Sequence, residues 1–312
     1  MPHYAPHIPE TVRADVFGAA VLPRDIPLST DESRERTVAE TQGAPLVDHP
    51  GTSNPYIDYE SIDLLLSLQH PRSKGYDEMC FIIIGQVKEL LFKGFHFELY
   101  NAQQQIRGGN VAEALEILTR AKAFAQYITQ SWDILGTITT EGFNQFRDNL
   151  GTASGQLSFM YRHVEFILGN KNARLAQAHR NVPHVWPAIE AALNSPSLYD
   201  DAIALLSRRG IPIDSGALCR DWAQTYVPNE SVERAWLEVY RNASPANDLC
   251  QLGEALCGLA DVMSQYRWRH FVSVERIIGF KPGTGGSGGV QWLRHVVDHR
   301  FFPELWSMRT KM

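Results

Sequence analysis

The chain has 312 residues, of which 44% are hydrophobic and 21% charged, so it is long enough to bury a sizeable core. A net charge of −6 without a long lysine or arginine run excludes a nucleic-acid surface, and the apolar runs are too short for a membrane span. Four cysteines without CxxC spacing, and no signal-peptide pattern, predict a cytoplasmic protein with neither nucleic-acid nor membrane partner.

The hydrophobic pattern changes near residue 50. Residues 1–50 are rich in proline and polar residues and show no sustained helical period, which predicts an extended or partly disordered N-terminal arm. Residues 51–312 consist of amphipathic segments of helical period with few alternating runs, which predicts one all-α domain. The predicted helices span residues 57–68, 77–106, 110–136, 140–149, 155–168, 197–208, 216–225, 230–242, 246–278 and 289–299.

The predicted helix 77–106 carries a glycine on its apolar face. Gly85 shares that face with Phe81, Ile84, Lys88 and Phe92. Glycine inside a helix costs roughly 1 kcal/mol relative to alanine. We therefore expect Gly85 to make room for another group.

The predicted helix 140–149 contains an arginine between aromatic residues and a turn. Arg147 follows Phe143 and Phe146 and precedes a glycine-containing turn at residues 151–155. An arginine facing a cavity there would hold a carboxylate through two hydrogen bonds. The alternative is a surface or salt-bridged arginine.

The predicted helix 246–278 places a histidine in its apolar stripe. His270 falls at helical spacing from Met263, Tyr266 and Ile277, while Arg267 is expected to point elsewhere. A neutral imidazole on a buried helix face is an axial ligand for haem iron. The alternative is a core histidine hydrogen-bonded to a neighbour.

A glycine-rich loop at residues 283–289 follows that helix. Its backbone amides can approach a ligand closely, and the alternative is a flexible linker. It is no Walker loop, since no Gly-Lys-Ser/Thr follows.

In the last predicted helix, His295 and His299 are spaced as zinc ligands can be, but no third ligand is evident. A solvated or interface pair is the preferred interpretation.

From about Pro55 to the C-terminus, the chain resembles the tryptophan 2,3-dioxygenase family in several blocks that occur in order. These blocks are Tyr56-Ile-Asp-Tyr, Asp77-Glu-Met-Cys-Phe-Ile-Ile, Phe146-Arg-Asp-Asn-Leu-Gly, Ser154-Gly-Gln, residues 161–172, Arg267-Trp-Arg-His and residues 278–286. The resemblance implies an all-α haem fold that binds haem b, assembles as a homotetramer, and takes O₂ and a tryptophan-like substrate. An external reductant is a further expected partner.

The resemblance also implies roles for the cofactor site. His270 matches the proximal haem ligand and therefore the iron-binding residue. Trp132 matches a ring packed near the haem, and Ser154 matches a residue beside a haem propionate.

The substrate site follows from the same resemblance. Arg147 matches the arginine that holds the substrate carboxylate, and Thr284 matches the threonine that contacts the substrate ammonium and carboxylate. Phe81 matches an aromatic wall of the indole pocket. Tyr56 and Tyr59 match tyrosines that a neighbouring subunit lends to the pocket.

Three positions depart from the family pattern. Gly85 stands where the family carries a distal histidine that hydrogen-bonds the indole N–H, Phe143 replaces a tyrosine, and Glu60 replaces an apolar residue. We therefore expect Gly85, together with Phe81 of the pocket wall, to determine which product forms.

These departures lead to the expected function, an O₂-dependent oxygenation of indole C2–C3 in tryptophan or a β-substituted tryptophan. The favoured product is a 2-oxindole with one inserted oxygen, because the resemblance extends to dioxygenase-like enzymes of natural-product pathways, one of which forms 2-oxindoles in maremycin biosynthesis. The alternative is ring cleavage to N-formylkynurenine. Weaker alternatives are a non-catalytic haem sensor or carrier and the oxygenation of a phenol.

Overall fold

The computed structural model describes residue 26, residues 28–49 and residues 54–312. Backbone contacts divide these residues into two compact units, with the boundary between His70 and Pro71. Regular structure in the described ranges is helical, without a β-strand, so the predicted all-α fold is confirmed. Within the same ranges, no helix is both long and apolar enough to cross a bilayer.

The smaller unit contains three described helices: α1 (Asp31–Thr41), α2 (Pro55–Glu60) and α3 (Ile62–Leu66). Most of the predicted N-terminal arm lies outside the described residues. Helix α1 falls inside that arm, where an extended or disordered chain is predicted. Thr30 caps it by accepting a hydrogen bond from the Ser33 amide, and it buries no residue, which is why it has no hydrophobic period.

The described residues of the larger unit begin at Pro71 and contain the long helices. Its α-helices are α4 (Asp77–Gly108), α5 (Val111–Leu135), α6 (Thr140–Asn144), α7 (Phe159–Ile167), α8 (Ala173–Ala176), α9 (Trp186–Leu193), α10 (Leu198–Arg208), α11 (Ser215–Leu218), α12 (Glu230–Arg241), α13 (Asp248–Ile278), α14 (Val290–Asp298) and α15 (Pro303–Ser307). Its described residues also form 3₁₀ turns at Arg147–Leu150, Gly155–Leu157, Gln177–His179 and Met308–Lys311.

Helices α4, α5 and α13 form the centre of this unit. Helix α5 packs along α4 and α13, while α7 and α10 pack on α4 and α14 packs on α13. Acidic residues in the first turn favour the start of α4, and Gly109 ends it with a left-handed φ of 84°. A buried stripe along α4 that includes Ile84, Phe92 and Phe95 joins the core between these helices.

The observed helices differ from the predicted ones where a tertiary contact or a proline determines where a helix begins or ends. The predicted helix 216–225 ends at Leu218, because the Arg220 side chain donates to Asp200 and to the Gln224 carbonyl. Helices α9 and α15 were not predicted. Each is short and carries a proline in its first turn. Proline is favoured at the start of a helix, but in a sequence it usually indicates that a helix is interrupted.

Candidate functional site

A cavity of about 290 Å³ opens between α4, α5 and α13 in the larger unit. Eight of the predicted site residues line it, although they come from distant parts of the chain. They are Phe81, Gly85, Trp132, Phe143, Arg147, Ser154, Thr284 and His270. The structure therefore brings together the predicted cofactor residues and most of the predicted substrate residues.

Helix α13 presents His270 to this cavity. Its ring stacks on Trp132 of α5, with the ring centroids 4.5 Å apart and the planes 14° from parallel. Burial, and secondarily the nearby Lys88, lower the pKa of His270 to about 3, so the imidazole is neutral at pH 7. Among the described residues, no side chain or carbonyl hydrogen-bonds its ring, which leaves a nitrogen lone pair for a metal.

Helix α4 supplies an aromatic wall and an open position. The Phe81 ring lies 5.3 Å from that of Phe146 and 6.1 Å from that of Phe143. At Gly85, one turn further along, an added Cβ would meet no atom of another described residue within 4 Å, apart from its own stretch of helix. The prediction that Gly85 leaves room is confirmed, and the room belongs to the cavity.

Helix α4 also brings to the cavity a lysine for which no role is predicted from the sequence. Lys88 is 7% exposed, and its Nζ lies 2.9 Å from the centroid of the Trp132 ring. That Nζ has no hydrogen-bond partner in the part of the chain that the structure describes, and burial lowers the pKa of the amine to about 6. The sequence feature that could have pointed to Lys88 is a charged residue at a core position of a predicted helix.

The glycine-rich loop is tied to the segment that carries Arg147. The Arg147 guanidinium donates to the Pro282 carbonyl, and the Thr284 hydroxyl donates to the Ala153 carbonyl over 2.7 Å. A Cβ at Gly285 would lie 2.7 Å from the Cβ of Ser154, so a side chain at residue 285 would keep the two segments apart. Arg147 makes no ion pair with a described carboxylate, so guanidinium donors remain for a ligand.

A buried ion network forms another part of the cavity wall. Glu165 accepts from Arg162 and, over 3.1 Å, from Arg267, whose side chain also donates to the His299 carbonyl. The expectation that Arg267 points away from the interior is wrong, because it is only 2% exposed. Burial, followed by the Glu165 charge, raises the pKa of the neighbouring Tyr161 to about 12, which keeps that phenol protonated.

The two histidines considered as a zinc pair make separate contacts. His295 is exposed on α14, and its Nδ1 lies 2.8 Å from the Gln291 carbonyl oxygen. His299 follows the end of α14 and packs edge-on against Phe301. No cluster of metal-binding side chains occurs in the ranges that the structure describes.

Three predicted substrate residues belong to the smaller unit. Tyr56, Tyr59 and Glu60 lie on α2, and the two tyrosines are 65% and 76% exposed. Their predicted contribution to a neighbouring subunit stays a prediction.

The donor set of the cavity fits a haem. A neutral imidazole, without a hydrogen-bond partner among the described residues, faces a largely apolar cavity, as a flat apolar macrocycle requires. Ser154 and Arg147 supply polar groups for carboxylates. The alternative of a core histidine hydrogen-bonded to a neighbour is not what the described residues show.

Comparison with known proteins finds one family along most of the chain. The model of the family described as tryptophan 2,3-dioxygenase matches residues 40–312. Tryptophan 2,3-dioxygenases from Cupriavidus necator and Shewanella woodyi are each 45% identical over 82% of this chain, which is 87% and 90% of their own lengths. The Caulobacter vibrioides enzyme of the same name is 46% identical over 82% of this chain and 98% of its own length.

Proposed function

The chain belongs to the tryptophan 2,3-dioxygenase family and is a haem-dependent oxygenase, and from that premise we propose that it cleaves the indole C2–C3 bond of tryptophan with O₂. The cofactor is haem b. The observation that carries the proposal is the convergence in one cavity of His270, the Phe81 wall, Arg147 and Thr284.

In this proposal the protein contributes binding and orientation. His270 holds the haem iron, and the haem, when bound, supplies the activation of O₂. Arg147 and the Thr284 hydroxyl fix the amino-acid end of the substrate, and the Phe81 and Phe143 rings hold its indole. Catalysis of this kind depends mainly on positioning, since one fixed geometry replaces many unproductive ones.

Ring cleavage to N-formylkynurenine is the proposed outcome because the relatives named above carry that activity in their names. This reverses the order expected from the sequence, in which the 2-oxindole came first. A haem sensor or carrier would not need an arginine whose hydrogen-bond donors remain available beside the aromatic wall of the cavity.

The 2-oxindole remains a second candidate because of Gly85. The open space at that position offers the indole N–H no side-chain partner, which would let the substrate shift and take one oxygen. Gly85→His restores a polar group there, and its product mixture should contain more ring-opened compound than that of the parent. Equal mixtures from both proteins would remove Gly85 as the basis for this candidate.

The homotetramer and the cytoplasmic location stay part of the proposal. The exposed Tyr56 and Tyr59 side chains are available to another subunit's pocket. Light scattering of the purified protein tests the tetramer.

The proposed function is tested by His270→Ala in haem-reconstituted protein. The parent should bind one haem per chain and consume tryptophan and O₂, whereas the variant should lose the axial-ligand spectrum and the turnover. A variant with an unchanged spectrum and unchanged turnover would remove His270 as the iron ligand.

A further inference from the structure

Three side chains from the three central helices form a continuous stack in the cavity. The Lys88 Nζ of α4 lies 2.9 Å from the centroid of the Trp132 ring of α5. The same ring stacks on His270 of α13 at 4.5 Å and 14°.

The carboxylates on the cavity wall are engaged by other groups. Glu165 accepts from Arg162 and Arg267, and Glu89 shares a hydrogen bond with Ser158. Among the described residues, the face of Trp132 is therefore what the Lys88 amine contacts. A lysine amine at this depth without an acceptor costs free energy, and an apolar side chain of similar length would not carry that cost.

We propose that Lys88 is a positioning residue for the His270 imidazole: it fixes Trp132, and through it the plane of His270, and its amine, when protonated, adds positive potential at the haem site. An amine on the Trp132 face restricts that ring, through an N–H contact with the ring when neutral and a cation–π contact when protonated. The ring in turn restricts the imidazole stacked on it. Groups around an axial ligand set the reduction potential of a haem, and a nearby positive charge favours the ferrous state. The proposal rests on the proposed function only in requiring haem on His270.

The test compares haem-loaded parent protein with Lys88→Met, which keeps the length and apolar body of the side chain but removes the amine. The variant should still bind one haem per chain. Its reduction potential, measured by spectroelectrochemical titration below about pH 6, where the Lys88 amine holds its proton, should shift downward. Lys88→Arg, which keeps the charge, should recover most of the shift. Lys93→Met removes an exposed lysine of the same helix and should leave the potential unchanged.

Three results would overturn the proposal. One is an unchanged potential in Lys88→Met, or a shift no larger than that of Lys93→Met. Another is the loss of haem from both Lys88→Met and Lys88→Gln, which would make Lys88 a haem-retention residue. The third is a change from a six-coordinate to a five-coordinate ferric spectrum in Lys88→Met, which would make the amine itself a ligand. A parent protein that binds haem but does not oxidise tryptophan would contradict the proposed function and leave this test intact.

Discussion

At the scale of single residues, Arg147 is the sharpest test of substrate binding. Its guanidinium has one described acceptor, the Pro282 carbonyl, and faces a cavity without a carboxylate partner for it. Arg147→Ala should weaken tryptophan binding by about 2 kcal/mol, roughly 30-fold in Kd, the lower end for charge pairs because the residue is only half-buried. Equilibrium titration of the haem spectrum with tryptophan measures this.

Tryptamine, which lacks the carboxylate, is the matched ligand for this experiment. It should bind the parent weakly and lose little affinity in Arg147→Ala. If both ligands lose affinity equally, Arg147 acts on the shape of the pocket and not on the carboxylate.

Much of the cavity lining could be predicted from the sequence, but the contacts between side chains of different helices could not. His270 and Gly85 stood out because each breaks the pattern of its own helix face. The stack of Lys88 on Trp132 joins residues on two different helices, and no local period shows which ring a lysine will reach. The orientation predicted for Arg267 was wrong because its partner Glu165 lies on α7, about a hundred residues earlier in the chain.

At the scale of elements, the crossing of α4 and α5 depends on a glycine. A Cβ at Gly94 would lie 2.5 Å from the Cε1 of Phe124, so the helices approach each other through the missing side chain. Gly94→Val should lower the free energy of unfolding by about 1–3 kcal/mol, since the Phe124 ring must move out of a packed interface. Urea unfolding followed by circular dichroism measures the change.

Gly108→Ala is the matched control near the end of the same helix. Its Cβ would meet only the Asn110 amide at 3.5 Å, an ordinary contact, so stability should be unchanged or slightly higher. A loss of the same size at residues 94 and 108 would mean that the crossing does not depend on Gly94.

Long helices were predictable where burial imposes a strong period, as the observed bounds of α4, α5 and α13 show. Short segments were not. The predicted helix 140–149 ends as an α-helix at Asn144 and continues as a 3₁₀ turn from Arg147, which holds that arginine at the cavity. Tertiary contacts of this kind override local preference.

At the scale of the whole molecule, Lys88 should make the unfolding of the haem-free protein depend on pH. Its pKa is about 6 when folded and near 10.5 when unfolded, so the unfolded chain binds one more proton between these values. Stability should therefore rise with pH across that window, by at most about 1.4 kcal/mol per pH unit from this group. Urea midpoints between about pH 6.5 and 9 measure the slope.

Lys88→Met should flatten this rise, whereas Lys93→Met should keep it. The comparison between variants matters because Lys171, whose pKa burial lowers to about 7, contributes a rise of the same sign. Parallel curves for the parent and Lys88→Met would mean that the buried amine keeps its proton in the folded protein.

The reaction itself is tested most directly by the mass of the product formed from tryptophan under ¹⁸O₂ by the haem-reconstituted parent protein. Ring cleavage places both atoms of one O₂ molecule in the product, so we expect a ring-opened compound of the N-formylkynurenine type with two labelled oxygens. A ring-closed product with a single labelled oxygen would contradict ring cleavage and establish the 2-oxindole reaction in its place.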